Sequence, residues 1–264
     1  MSHRTFSGLT VAVIAVASIA GSAQATFFST ASDINDRAFT FTGTAGAAGS
    51  FGISAVQPNA FSLVVSDNNN GAVHPAISIP VGMRAALTAT WVNSFPLGGT
   101  LFQHVYNVSG EFDFYAPGNP STLLLRCTVG PTNKGFLSVP GTANAWSSTG
   151  AILGADSYAD VTYFAFPALV TALGGPASAA NYGIVVNGDS SSSSGPDDFG
   201  FDLTVLNAGL LGQNVALDAQ SKLPTTTWSS ESSYSGSALG GIPAPAAASL
   251  LGMAGLVAAR RRRN

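Results

Sequence analysis

Charge is the first scarcity. Only 9% of the 264 residues are Asp, Glu, Lys or Arg, against ~25% in an average soluble protein. The cations are also unevenly placed. Four of the ten form the run Arg260, Arg261, Arg262, Arg263, and Arg4 lies near the start. Between residues 26 and 241 only Arg37, Arg84, Arg126, Lys134 and Lys222 remain, against all 13 acids. A body that acidic has no electrostatic footprint for a phosphate backbone, which excludes nucleic acid as a partner. Cysteine is the second scarcity. Cys127 is alone, so no disulfide can close within the chain and no Cys-x-x-Cys metal pair exists. Set in the apolar run LLLRCTV, it reads as a buried small hydrophobe. Catalytic signatures are the third. Neither G-x-S-x-G nor H-E-x-x-H occurs, and there are three histidines, at 3, 74 and 104.

What the sequence does have is most distinctive at its ends. The start, MSHRTFSGLTVAVIAVASIAGSAQA, has a basic residue, an apolar core from about Leu9 to Ala20, and Ala23 and Ala25 at the −3 and −1 positions of an A-x-A cleavage site. This is a secretory signal peptide over 1–25, to be handled by the Sec translocon and signal peptidase. At the other end Pro243 and Pro245 stop any helix from extending backwards. The charge-free run from Ala246 to Ala259 would be about 21 Å long as a helix, short of a ~30 Å hydrocarbon core. Arg260, Arg261, Arg262 and Arg263 act as a stop-transfer cluster, which would hold the far side of that run in the cytoplasm. A Ser/Thr-rich stretch, TTTWSSESSYSGSALGG, precedes it and reads as a linker over 221–241.

The order of proline motif, short apolar helix and arginine cluster over 242–264 resembles a PEP-CTERM sorting signal. Pro243-Ala244-Pro245 occupies the motif, with Ala244 where the family usually has glutamate. The resemblance implies export by a Gram-negative, exopolysaccharide-making bacterium and processing by an exosortase-type membrane enzyme. It implies a cell-surface or extracellular-matrix location, membrane-held through the C-terminal helix before processing. Exopolysaccharide and biofilm would be the setting. The other reading of the tail is an ordinary single-pass anchor.

Residues 26 to about 241 alternate repeatedly with period 2, and the β domain is expected over 26–220. In YNVSGEFDFY, Tyr106, Val108, Gly110, Phe112 and Phe114 share one face, and Asn107, Ser109, Glu111, Asp113 and Tyr115 the other. FGFDLTVLN puts Phe199, Phe201, Leu203 and Val205 inward. Further strands are expected at 39–41, 61–65, 76–81, 86–92, 122–129, 160–166 and 181–186, with a two-turn helix at 167–175. Turn residues at 68–71, 96–99, 116–120 and 130–135 separate them. Ten or so one-faced strands predict an all-β, two-sheet antiparallel β-sandwich, jelly-roll-like. A parallel β-helix is the alternative, but no repeat of fixed length supports it.

Several residues are candidates for chemistry. Glu111 and Asp113 lie about 7 Å apart on one strand face, within the reach of a glycosidase pair; a solvated face is the plainer reading. His74 and His104 could each serve as a base, but nothing near them in sequence completes a triad. DNNNG offers Asp67 and Asn69 to calcium, or a hairpin with Asn70-Gly71 as its turn. Asp189, Asp197 and Asp198 form a second acidic stretch that calcium could join. Trp91 reads as core, Trp146 as a loop residue open to exposure and Trp228 as part of the linker; exposed indoles would suit sugar stacking, but packing is the plainer role for all three. The reading is a non-enzymatic structural or adhesive surface protein with no obligatory cofactor. A glycan- or calcium-binding module is the alternative, and a polysaccharide hydrolase a third.

Overall fold

The computed structural model describes residues 26–30, 39–67, 74–130, 135–155, 161–184, 191–192, 197–209 and 212–238. Several sequence expectations lie outside the described residues. These are the signal segment with Ala23 and Ala25, Asn69, Asp189, the motif Pro243-Ala244-Pro245 and the cluster Arg260, Arg261, Arg262, Arg263. The chain is all-β and sandwich-like, as its alternation requires. In order come β1 (Thr26–Thr30), β2 (Phe39–Gly43), β3 (Ser50–Asp67), β4 (Ile77–Gly98), β5 (Leu101–Ala116), β6 (Asn119–Val129), β7 (Gly135–Thr142), β8 (Ala145–Trp146), β9 (Gly150–Ala155) and β10 (Val161–Ala165). Two short helices follow, α1 (Pro167–Ala172) and α2 (Pro176–Ala180), then β11 (Ser191–Ser192), β12 (Asp197–Asn207), β13 (Val215–Ala216) and β14 (Trp228–Ala238). Among the described residues no helix is long and apolar enough to cross a membrane.

All described pairings are antiparallel, and they close on themselves. The path β5–β4–β3–β1–β14–β12–β9–β7 becomes a ring because β5 also pairs β7. β1 and β2 follow one another in a single gap between β3 and β14. Closure depends on a branch in β5. Its first half, Phe102 to Val108, pairs β7; its second half, from Gly110, pairs β6. At the branch Gly110 has φ 134°, a conformation that disfavours any side chain, and a Cβ there would collide with the Ala86 carbonyl. The second half then carries β6, β10 and β11 as a flap outside the ring.

The inward faces enclose an aromatic core. Phe39, Phe41, Phe112, Phe201 and Tyr234 form a chain of ring contacts, mostly edge to face. Each such ring contributes roughly 2–3 kcal/mol through burial alone. Cys127 is fully buried, as its apolar context indicates. The Tyr163 and Tyr234 hydroxyls bond each other at 2.8 Å, and Tyr163 donates to the Asp198 carbonyl at 2.8 Å, so the buried phenols are satisfied.

Four local expectations need correction. Residues 228–238, which read as linker, form β14, which pairs β1, β2 and β12. Its serines are small inward residues: Trp228, Ser230, Ser232 and Tyr234 are all buried, and Ser230 donates to the Thr204 carbonyl at 2.8 Å. Trp146, which reads as a loop residue, lies in β8 and takes the packing role; it is fully buried, packs on Trp228 at 5.4 Å and donates to the Tyr106 hydroxyl at 3.0 Å. Val205 does not face inward. It sits in a bulge at φ 54°, and Leu206 takes the buried place. Residues 181–183, expected to open a strand, form a turn after α2, and Ile184 is buried behind it. The helix at 167–175 is present as α1, started by Pro167 and held down by Leu169 and Val170.

If β14 belongs to the body, Trp228→Ala should cost about 3–5 kcal/mol in urea unfolding. A change within ~0.5 kcal/mol, usual for a surface site, would restore the linker reading.

Candidate functional site

The two ends of the ring differ in chemistry. At one end the termini of the β body meet: Thr26 pairs Ala238 on one side and Asp67 on the other. Asp67 is 2% exposed. Its carboxylate accepts the His74 backbone N–H at 3.2 Å, while the His74 ring lies beside Tyr182. Asp198 accepts both the N–H and the hydroxyl of Ser237, at 2.9 and 2.8 Å. Among the described residues no group of three His, Cys, Asp or Glu is placed to hold a metal.

The Glu111–Asp113 pair lies on the outer face of β5, as the alternation predicts, but its setting is unlike a glycosidase site. Asp113 stands in a cross-strand row between Arg84 of β4 and Arg126 of β6. Its Oδ1 accepts from Arg126 Nε at 2.6 Å, and its Oδ2 from Arg84 Nε at 2.8 Å and Arg126 Nη2 at 3.0 Å. The carboxylate is 1% exposed beneath the two guanidinium groups, while Glu111 is 44% exposed and 3.3 Å from Arg126. Burial pushes the Asp113 carboxyl up, but the hydrogen bonds from Arg126 and Arg84 outweigh it and hold the group below its usual range. A glycosidase acid must keep its proton at working pH. Asp113 is arranged for the opposite, with its oxygens committed to the arginines. The cluster is a cross-strand clasp, joining β4, β5 and β6 beyond the branch at Gly110.

At the far end, β4 runs past β3 and joins β5 in a hairpin. Pairing of β4 with β3 ends at Thr90, and the β4–β5 ladder continues to Gly98 and Leu101. From Ala85 to Gly110 there is no Asp, Glu, Lys or Arg. The tip exposes Val92, Phe95, Leu97 and Leu101, between 46% and 57% accessible. A bulge between Trp91 and Asn93 shifts the register, so that Trp91 faces Tyr106 and Ser94 faces His104. His104 is fully buried. Its Nδ1 lies 2.7 Å from Ser94 Oγ and its Nε2 2.8 Å from the Thr142 carbonyl. Trp91 Nε1 donates to the same Ser94 oxygen at 3.2 Å. Burial lowers the His104 pKa and Lys222 adds to this, against the raising effect of the Thr142 bond. Lys222 itself is clamped on the Ala143 carbonyl and Asn144 Oδ1, at 2.9 and 3.0 Å. Sequence reasoning finds His104 but not Ser94, because only the bulge brings the two to one face.

A further pocket of about 520 Å³ lies under α1, lined by Ile79, Pro80, Ala116, Leu124, Ala168 and Thr171. Among the described residues no ionisable side chain lines it. Of the three indoles, Trp146 and Trp228 are buried and Trp91 is partly buried against the core, so none stands as an open stacking platform.

The clasp on Asp113 predicts a pH signature. A carboxyl held low when folded contributes stability that is complete above the ordinary value near ~4 and is lost as pH falls through the folded value. Asp113→Asn should therefore cost about 2–4 kcal/mol at pH 7 and progressively less in acid. Urea midpoints that differ from wild type equally at pH 7 and at pH 3 would contradict this. No protein-family model matches the chain, and comparison with curated proteins and with solved structures gives no match.

Proposed function

We propose that this chain is an exported structural or adhesive protein of a Gram-negative cell surface or matrix, held by its C-terminal side and acting through the apolar hairpin at its far end. The carrying observation is the polarity of the body. Thr26 and Ala238 are directly paired, so both ends of the β body leave beside the start of β4, while the exposed apolar tip lies at the end of β4. A signal peptide cut after Ala25 would make the first residue of β1 the new N-terminus. A PEP-CTERM-like tail beginning at Ile242 would follow β14 after three residues. Attachment by that tail, before or after action of an exosortase-type enzyme, would direct the hairpin away from the membrane.

The tip suits contact with apolar matter. It has no charge to desolvate, and its four large apolar side chains project into solvent. Pro96 supplies no N–H, which discourages this edge from templating a further strand. Adhesion would therefore run through side chains rather than through sheet extension. The sparse charge of the whole body fits a protein working in a polysaccharide matrix without being steered by salt.

Replacing Phe95, Leu97 and Leu101 together by Ser should leave the melting temperature within about 3 °C of wild type, since exposed positions carry little stability. The same change should reduce binding of the purified protein to an alkyl-coated surface by at least about tenfold, the equivalent of ~1.4 kcal/mol. Unchanged retention on that surface would remove the hairpin from the proposal.

A further inference from the structure

The Ser94–His104 contact carries an inference independent of the sorting tail. The Thr142 oxygen is a carbonyl and can only accept, so the proton of the imidazole must sit on Nε2. Nδ1 then presents a lone pair, and the 2.7 Å contact is a hydrogen bond donated by the Ser94 hydroxyl. The Trp91 indole N–H, aimed at the same oxygen, fixes its remaining geometry. This is the order found in activated hydroxyl nucleophiles: an alcohol bonded to a base, and the base oriented from behind by a third group. The base is sealed from water while the alcohol is only half-buried. We propose that Ser94 is an acyl-acceptor site, with His104 as its base, for activated uncharged esters.

The step balances within the pair. Ser94 Oγ attacks the ester carbonyl carbon as its proton passes to His104 Nδ1. The bond to the leaving alcohol or phenol then breaks, and that group takes the proton back from His104. The product is an ester on Ser94 and a free alcohol, with the imidazole restored. The surroundings select the donor class. Pro96 and Phe102 are cross-strand partners two residues along from the Ser94–His104 pair, and the Phe102 ring lies nearly parallel to His104 at 6.4 Å. The hairpin carries no charged residue, and the nearby Lys222 ammonium is engaged by the Ala143 carbonyl and Asn144, so an apolar or aromatic leaving group is favoured over an anionic one. Turnover is not required: an acyl chain retained on Ser94 would add apolar surface to the tip.

The test uses the purified full chain with an alkyl fluorophosphonate and, separately, p-nitrophenyl acetate, each followed by peptide mass mapping. The expected result is a single adduct on Ser94, absent in Ser94→Ala and slowed at least about 100-fold in His104→Gln. An adduct spread over many hydroxyls, an adduct on Ser94 indifferent to His104→Gln, or none at all would overturn the proposal. Because His104→Gln alters a buried position, nitrogen-15 shifts of the wild-type imidazole give a second criterion. Protonated Nε2 and bare Nδ1 are expected, and a protonated Nδ1 would overturn the assignment.

Discussion

β5 hydrogen-bonds to β7 before Gly110 and to β6 after it, along one and the same edge. That double engagement is the constraint on which the rest of the molecule depends. Were β6 the partner along the full length of β5, β7 and β9 would have no route back to it, and the sheet would stay open with two long edges. The branch demands a residue with positive φ pressed against a neighbouring carbonyl, which glycine alone satisfies without strain. Beyond it, the Arg84–Asp113–Arg126 row binds β6 to β5 where β7 no longer helps. The clasp is the polar counterpart of the aromatic core inside the ring, and commits two of the few cations of the body to one carboxylate.

Closure also sorts the molecule into two ends. Strands that return to their starting point bring Thr26 and Ala238 together. The same ladders leave the β4–β5 hairpin without a β3 partner past Thr90. One end thus carries the chain termini of the body and carboxylates that tie backbone segments together. The other carries exposed apolar side chains over a serine–histidine contact with a buried imidazole. In a protein with little charge, this division of polar ties and apolar projection is its main chemical asymmetry.

Much of this is legible in the sequence, for particular reasons. The faces of Tyr106, Val108, Phe112 and Phe114 can be assigned because period-2 burial is a local property of a strand. Cys127 is legible for the same reason. The role of β14 is not, because serine reads as a surface residue, yet Ser230 and Ser232 fill narrow inward places where their hydroxyls reach backbone carbonyls. Val205 and the Ser94–His104 pairing are hidden by bulges, which reverse alternation without any compositional mark. Asp113 stands out as an acid, but its meaning depends on Arg84 and Arg126, which lie 29 and 13 residues away and become neighbours only through strand register. Trp146 escapes a local reading because its loop-like surroundings, rich in small residues, lie over the core with the indole turned inward.

The central claim, that the body stands outside the cell with the hairpin outward, can be tested on intact host cells. Cys127 is fully buried, and burial raises its pKa well above the ordinary thiol value, so it is a silent thiol. Thr100→Cys would place one reactive thiol at the exposed turn of the hairpin. A membrane-impermeant maleimide should label this variant on unbroken cells and leave the wild type unlabelled. Labelling that appears only after lysis would contradict the account.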